Sequence, residues 1–182
     1  MLNLAYETVL QSFYHQDELG RVIAALRVLA DKTGLSGMLG GQGRDVANEK
    51  SGRPVQDEAE LMLIYENKTA ALLEASLMVG AILAGADKTD VERMEEIGHK
   101  IGLAFQVRDD IMDVISTQEE MGKPVRSDEK NEKTTYVTLF GTEAAQEQVE
   151  TWTGEALQIL ETLPGDKAFL GALFAEMVGR RS

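Results

Sequence analysis

Cysteine is absent from the 182 residues, which excludes disulfides and thiolate metal sites and leaves no framework that points to secretion. Positive charge is scarce. Eighteen lysines and arginines against 31 aspartates and glutamates give a formal charge of −13, so a duplex phosphate backbone or an anionic membrane surface is a poor partner. The longest apolar run, Leu77 to Ala86, falls short of the ~20 residues of a membrane span. The opening Met1-Leu2-Asn3-Leu4-Ala5-Tyr6-Glu7 has no basic start and no cleavage signature, and a cytoplasmic location is the simplest reading. His15 and His99 stand alone, with no second histidine or paired acid at ligand spacing, and read as surface or packing residues. Strand alternation, internal repeats, low-complexity tracts and dividing linkers are all missing.

What is present is helical periodicity nearly everywhere, with 43% hydrophobic residues, enough for one all-helical domain over residues 1–182 with a sizeable core. Leu2 to Phe13 and Leu19 to Leu29 read as two amphipathic helices around Tyr14-His15-Gln16-Asp17. No Ser, Thr, Asp or Pro precedes the first as a start signal, so the chain is expected to begin inside something larger. Thr33 to Asp45 carries five glycines in a pattern that still fits a closely packed helix. The phosphate-loop alternative has neither a preceding strand nor a following Gly-Lys-Ser/Thr. A long helix is expected from about Asp57 to Ala84, with Lys68-Thr69 near its middle. Two readings of that pair stand open: an exposed lysine beside a threonine bonded to a preceding carbonyl, or a cation facing an acidic helix.

That acidic helix follows the turn Gly85-Ala86-Asp87-Lys88-Thr89-Asp90 and runs to about Ser116. Within it Asp109, Asp110 and Asp113 interrupt a segment that otherwise reads as buried. Asp109 and Asp113 fall one turn apart, ~40° around the axis, with Asp110 ~100° from Asp109 and Gln106 on the turn before. Like charges so placed repel, more strongly where apolar neighbours lower the dielectric. A divalent cation would offset the cost, Mg²⁺ above all, because it takes one or two carboxylates and is completed by water and phosphate oxygens. An acidic protein can hold an anionic ligand when metal ions invert the local charge. By itself Asp-Asp-x-x-Asp reads more readily as a solvated acidic edge than as a metal site. A polar stretch from Ser116 to Lys133 and two further helices, roughly Thr142 to Leu163 and Lys167 to Gly179, complete the chain.

Taken together, Gly41-Gln42-x-x-Asp45, Lys68-Thr69, Gly102-Leu103-Ala104-Phe105-Gln106-x-x-Asp109-Asp110-Ile111-Met112-Asp113, Gly122-Lys123, Asp128 and Lys133-x-Thr135-Tyr136 fall in one recognisable order. The chain resembles the C-terminal half of a short-chain trans-polyprenyl diphosphate synthase, of the farnesyl or geranylgeranyl diphosphate synthase kind. The resemblance implies an all-α bundle of the isoprenoid synthase type around a deep cavity, usually a homodimer. In such a cavity an allylic diphosphate (dimethylallyl or geranyl) ionises and is attacked by isopentenyl diphosphate. It further implies that Asp109 ligates Mg²⁺, with Asp110 and Asp113 acting nearby through water and Asp128 orienting the metal's waters. Lys68, Lys123 and Lys133 would contact the diphosphate, while the carbonyls of Lys68 and Thr69 and the oxygen of Gln106 would face the allylic cation.

Two departures are small: Val137 stands where many relatives have proline, and Ala70 where many have glycine. The large departure is that the family's N-terminal half, with its first aspartate-rich helix and its Gly-Lys-Arg segment, has no counterpart here. The expectation is a chain with little synthase activity alone, which pairs with itself or with an N-terminal fragment to cover an apolar wall. The rival reading is a non-catalytic helical interaction or regulatory subunit derived from such a synthase. Terpene cyclases, whose second metal motif is usually Asn/Ser/Glu-based, come third.

Overall fold

A computed structural model describes residues 2–14, 19–52, 55, 57–115 and 133–179, and among them helix is the only regular structure. Helix α1 (Leu2–Gln11) runs into a short 3₁₀ turn (Ser12–Tyr14), and α2 (Leu19–Thr33) and α3 (Met38–Ser51) follow. The expected rod from Asp57 is present but interrupted: α4 (Glu58–Tyr65), a five-residue π turn (Glu66–Ala70) and α5 (Ala71–Ala84) follow without a break. Helix α6 (Lys88–Ile115) is the longest, and α7 (Tyr136–Phe140), α8 (Thr142–Thr162) and α9 (Ala168–Gly179) close the fold.

Local chemistry sets these boundaries. Asp57 accepts from the Glu60 amide at 2.9 Å to start α4, and Asp87 does the same for Asp90 at the head of α6, each satisfying an amide that would otherwise lack a partner. Gly52 and Gly85 end α3 and α5 at φ of 62° and 81°, a region where a side chain is strained. Of the five glycines in the Thr33–Asp45 stretch, the first two lie in the turn before α3, while Gly40, Gly41 and Gly43 are helical, as close packing requires. A Cβ on Gly41 would collide with the backbone of Asn67 and Lys68, so α3 rests directly on the π turn.

Helix α6 is the axis of the core. Leu103, Ala104, Val107 and Ile111 pack with Leu61, Ile64 and Tyr65 of α4, Tyr136 and Val137 of α7, and Val149 of α8. One turn further back, Ile97 and Ile101 meet Leu160 of α8 and Phe174 of α9. Ile97, Ile101, Val107 and Ile111 are wholly buried, each worth on the order of 2 kcal/mol of apolar transfer. A third cluster joins Val9, Ala25 and Leu29 of α1 and α2 to Ala75 of α5. The Glu58–Ala84 rod is, by length and composition, apolar enough to cross a bilayer, beyond the shorter run Leu77 to Ala86 noted in the sequence. Core helices pass the same test, and Lys68 and Glu74 on this rod are ion-paired within the bundle.

Candidate active site

The π turn decides where Lys68 and Thr69 go. Its amide pairing shifts to one residue further back, the Ala71 amide reaching the Glu66 carbonyl, and such single-turn insertions are frequent at functional sites. The two neighbouring side chains diverge. Lys68 Nζ lies 2.5 Å from Asp45 Oδ2 on α3, while Thr69 Oγ1 donates to Gln106 Oε1 on α6 at 2.8 Å. It is thus the threonine, rather than the lysine, whose side chain faces the acidic helix. The close crossing that permits this rests on Gly102, where a Cβ would strike Ala70 of the π turn.

Gln106 stands 3.4 Å from Asp110 Oδ1 through its amide nitrogen. Asp110 is buried and accepts from the Tyr65 hydroxyl at 2.5 Å and the Tyr136 amide at 3.2 Å. Asp113 is buried on the same helix and Asp109 is exposed. Asp109 and Asp110 therefore differ in environment, because the ~100° step between them turns the second toward Tyr65 and α7. Among the described residues no three His, Asp or Glu side chains group as a metal cage. Mg²⁺ does not require one, since it is commonly held by one or two carboxylates together with water and substrate phosphate. Asp109, a hard oxygen donor on the exposed side of α6, fits that mode.

Lys133 comes from the segment leading into α7, which is capped by a reciprocal pair: Thr135 accepts from the Thr138 amide and Thr138 from the Thr135 amide. Its Nζ lies 3.2 Å from Asp45 Oδ1, so both oxygens of one carboxylate meet an ammonium. Burial pushes the Asp45 carboxyl up, but the hydrogen bond from Lys68 and the charges of Lys133 and Lys68 outweigh it and hold it below the usual range. Asp45 was present in the Gly-Gln-x-x-Asp motif without a role. Tyr65, three residues before Lys68, gave no sequence signal at all. Lys123, Asp128 and His15 lie outside the described residues.

A second polar cluster sits beneath the π turn. Buried Glu74 of α5 takes Lys32 Nζ of α2 and stands 3.0 Å from His99 Nδ1 of α6. His99 thus has a paired acid after all, on another helix and so invisible to spacing along its own. Donating that hydrogen bond to Glu74 raises its pKa above the ordinary 6.5 despite burial.

The sequence and the fold both have relatives. A family profile described as polyprenyl synthetase matches residues 1–164. The chain is 40% identical over 148 residues to a chloroplastic geranylgeranyl pyrophosphate synthase of Capsicum annuum, covering 81% of this chain and 40% of that protein. An FPP/GFPP synthase of Zymomonas mobilis superposes with a TM-score of 0.81 at 27% identity, over 97% of this chain and 57% of that one. A Helicobacter pylori geranyltransferase solved with magnesium and isoprenyl diphosphate gives 0.76 at 29% identity, over 97% and 56%. The chain spans about half the length of the relatives it matches. With the profile covering nearly all of it, and with helical packing shared across the whole described bundle, the chain belongs to the polyprenyl synthetase family.

Proposed function

We propose that this chain forms the C-terminal portion of a prenyl transfer site, in which an allylic diphosphate, dimethylallyl or geranyl, is elongated by isopentenyl diphosphate with Mg²⁺. The observation that carries the reading is the meeting of Lys68 and Lys133 at Asp45, one residue along the chain from the Thr69–Gln106 pair. Cationic and uncharged polar groups thereby spring from adjacent residues of one turn, and ionisation of an allylic diphosphate needs both kinds. The C–O bond breaks with its electron pair on the leaving diphosphate. Ammonium groups fixed in place stabilise that growing charge without reorganising. The hydrocarbon cation left behind needs oxygen dipoles but no nucleophile, which suits Gln106 Oε1 and the backbone carbonyls of Lys68 and Thr69 in the π turn. In this reading Asp109 would hold Mg²⁺, with Asp110 and Asp113 acting nearby through water, and the bound ion would neutralise diphosphate charge.

Exposed Leu10, Phe13, Leu19 and Ile23 line a groove between α1 and α2. This supports pairing of the chain with itself or with a fragment corresponding to the N-terminal half of its relatives. Alone, the chain is expected to turn over labelled isopentenyl diphosphate and geranyl diphosphate negligibly; a rate of roughly 1 s⁻¹ or more overturns that expectation. The ligand reading is tested by calorimetry with geranyl diphosphate, with and without Mg²⁺, on the parent and on Asp109→Asn. Binding that needs the metal and vanishes in the variant supports it. No heat in either protein favours the non-catalytic interaction subunit.

A further inference from the structure

Two lysines far apart in sequence share one carboxylate. Lys68 Nζ meets Asp45 Oδ2 at 2.5 Å and Lys133 Nζ meets Oδ1 at 3.2 Å. The three side chains come from α3, the π turn and the approach to α7, so no local periodicity brings them together. The exposures are graded: 12% for the Asp45 side chain against 29% and 36% for the lysines. The carboxylate thus lies behind the ammonium groups, on the protein side, and the trio carries a net charge of +1. Gly41 contributes to this geometry, because only a residue without a Cβ lets α3 lie against the Lys68 backbone one turn before Asp45.

We propose that Asp45 is a positioning residue for the diphosphate, its carboxylate clamping the ammonium groups of Lys68 and Lys133 side by side as one two-pronged anion site. The proposal rests on the reading above that these lysines contact diphosphate. Without the clamp two like charges on flexible four-carbon stems separate toward water. An ammonium carries three N–H donors, so a bond to Asp45 does not exhaust it. The carboxylate therefore fixes the pair while leaving the trio attractive to an anion.

Simple electrostatics gives the opposite forecast, which makes the idea testable. Asp45→Asn keeps the shape and raises the summed charge of these three side chains from +1 to +2, so charge alone would tighten anion binding. Positioning would weaken it, since each lysine re-immobilised on binding costs a factor of roughly 2 to 12 in affinity.

The probe is inorganic pyrophosphate with Mg²⁺, titrated calorimetrically into the full chain. In parallel, ¹⁵N spectra of the lysine ammonium groups are recorded without ligand and assigned with Lys68→Gln and Lys133→Gln. Asp45→Asn is expected to bind about fivefold to tenfold more weakly, with the Lys68 and Lys133 ammonium signals lost to fast exchange; Asp45→Glu recovers part of both. In an otherwise unaltered chain, Lys133→Gln should shift the Lys68 signal, a measurement that stands even if the Asp45 variants fold poorly. Binding by Asp45→Asn as tight as the parent's or tighter overturns the proposal, as do ammonium signals indifferent to Asp45 and to the neighbouring lysine. A parent that binds no pyrophosphate while its ammonium signals still depend on Asp45 overturns the diphosphate role of the lysines and leaves the clamp itself established.

Discussion

Truncating Glu74 to alanine removes a buried carboxylate that ties α2, α5 and α6 together. Glu74 is 6% exposed and holds Lys32 and His99. Hydrogen bonds to charged groups contribute about 1.5–3 kcal/mol each when well buried. Here the partners are 25% and 38% exposed, and Lys32 keeps Glu95 Oε1 at 2.5 Å, so solvent screening and the remaining acid reduce the total to about 2 kcal/mol. For a chain of this length that corresponds to a fall in Tm of about 4–8 °C.

The cost should depend on pH in a defined direction. His99 has its pKa raised by the hydrogen bond to Glu74 and then by the charges of Glu74 and Glu66, against burial and Lys100. Its contribution is therefore complete below about pH 6.5 and is lost as pH rises through the raised folded value. Glu74 itself is pushed up by burial, but His99 and Lys32 outweigh this and leave it lowered, so its contribution is present above about pH 4.5 and lost as pH falls through the folded value. Glu74→Ala should thus cost most between about pH 4.5 and 6.5 and less once the pH has passed the raised folded value of His99. Circular-dichroism melts of the parent, Glu74→Ala and His99→Gln across that range decide the matter. Equal cost at pH 6 and pH 9, or an undiminished pH slope in His99→Gln, refutes the reasoning.

Tyr65→Phe deprives buried Asp110 of its 2.5 Å donor and is expected to cost about 1.5–3 kcal/mol, seen as a lower urea midpoint with an unchanged slope. Gly102→Ala drives a Cβ into Ala70, so α6 must move off the π turn. A loss of about 1–3 kcal/mol should accompany weaker Mg²⁺-pyrophosphate binding, as the Thr69–Gln106 bond is displaced; unchanged stability and binding would show that the crossing can relax freely.

Helix positions were legible because each is written locally. The apolar repeat runs through α6, Asp57 and Asp87 mark starts, and Gly52 and Gly85 mark ends. The site was legible as a set of residues but not as an arrangement. Lys68 and Thr69 were expected on a regular helix, and nothing in their spacing announces that the backbone takes an extra residue there and sends them to different neighbours. The roles of Asp45, Tyr65 and Glu74 arise from partners 23, 45 and 25 positions away, distances across which a periodicity argument has no reach. The division of Asp109 from Asp110 likewise depends on which helix lies opposite, a tertiary fact.

The inserted residue between α4 and α5 also decides what a change in the length of the gene would do. The wider turn already absorbs the extra residue, so deleting one position from 66 to 70 would restore an ordinary ladder and leave everything downstream on its own face of the rod. Glu74 would keep Lys32 and His99, and Tyr65 would keep Asp110, while Lys68 and Thr69 would lose the divergence that sends them to Asp45 and Gln106. Such a deletion should therefore spare the bundle and spoil the site.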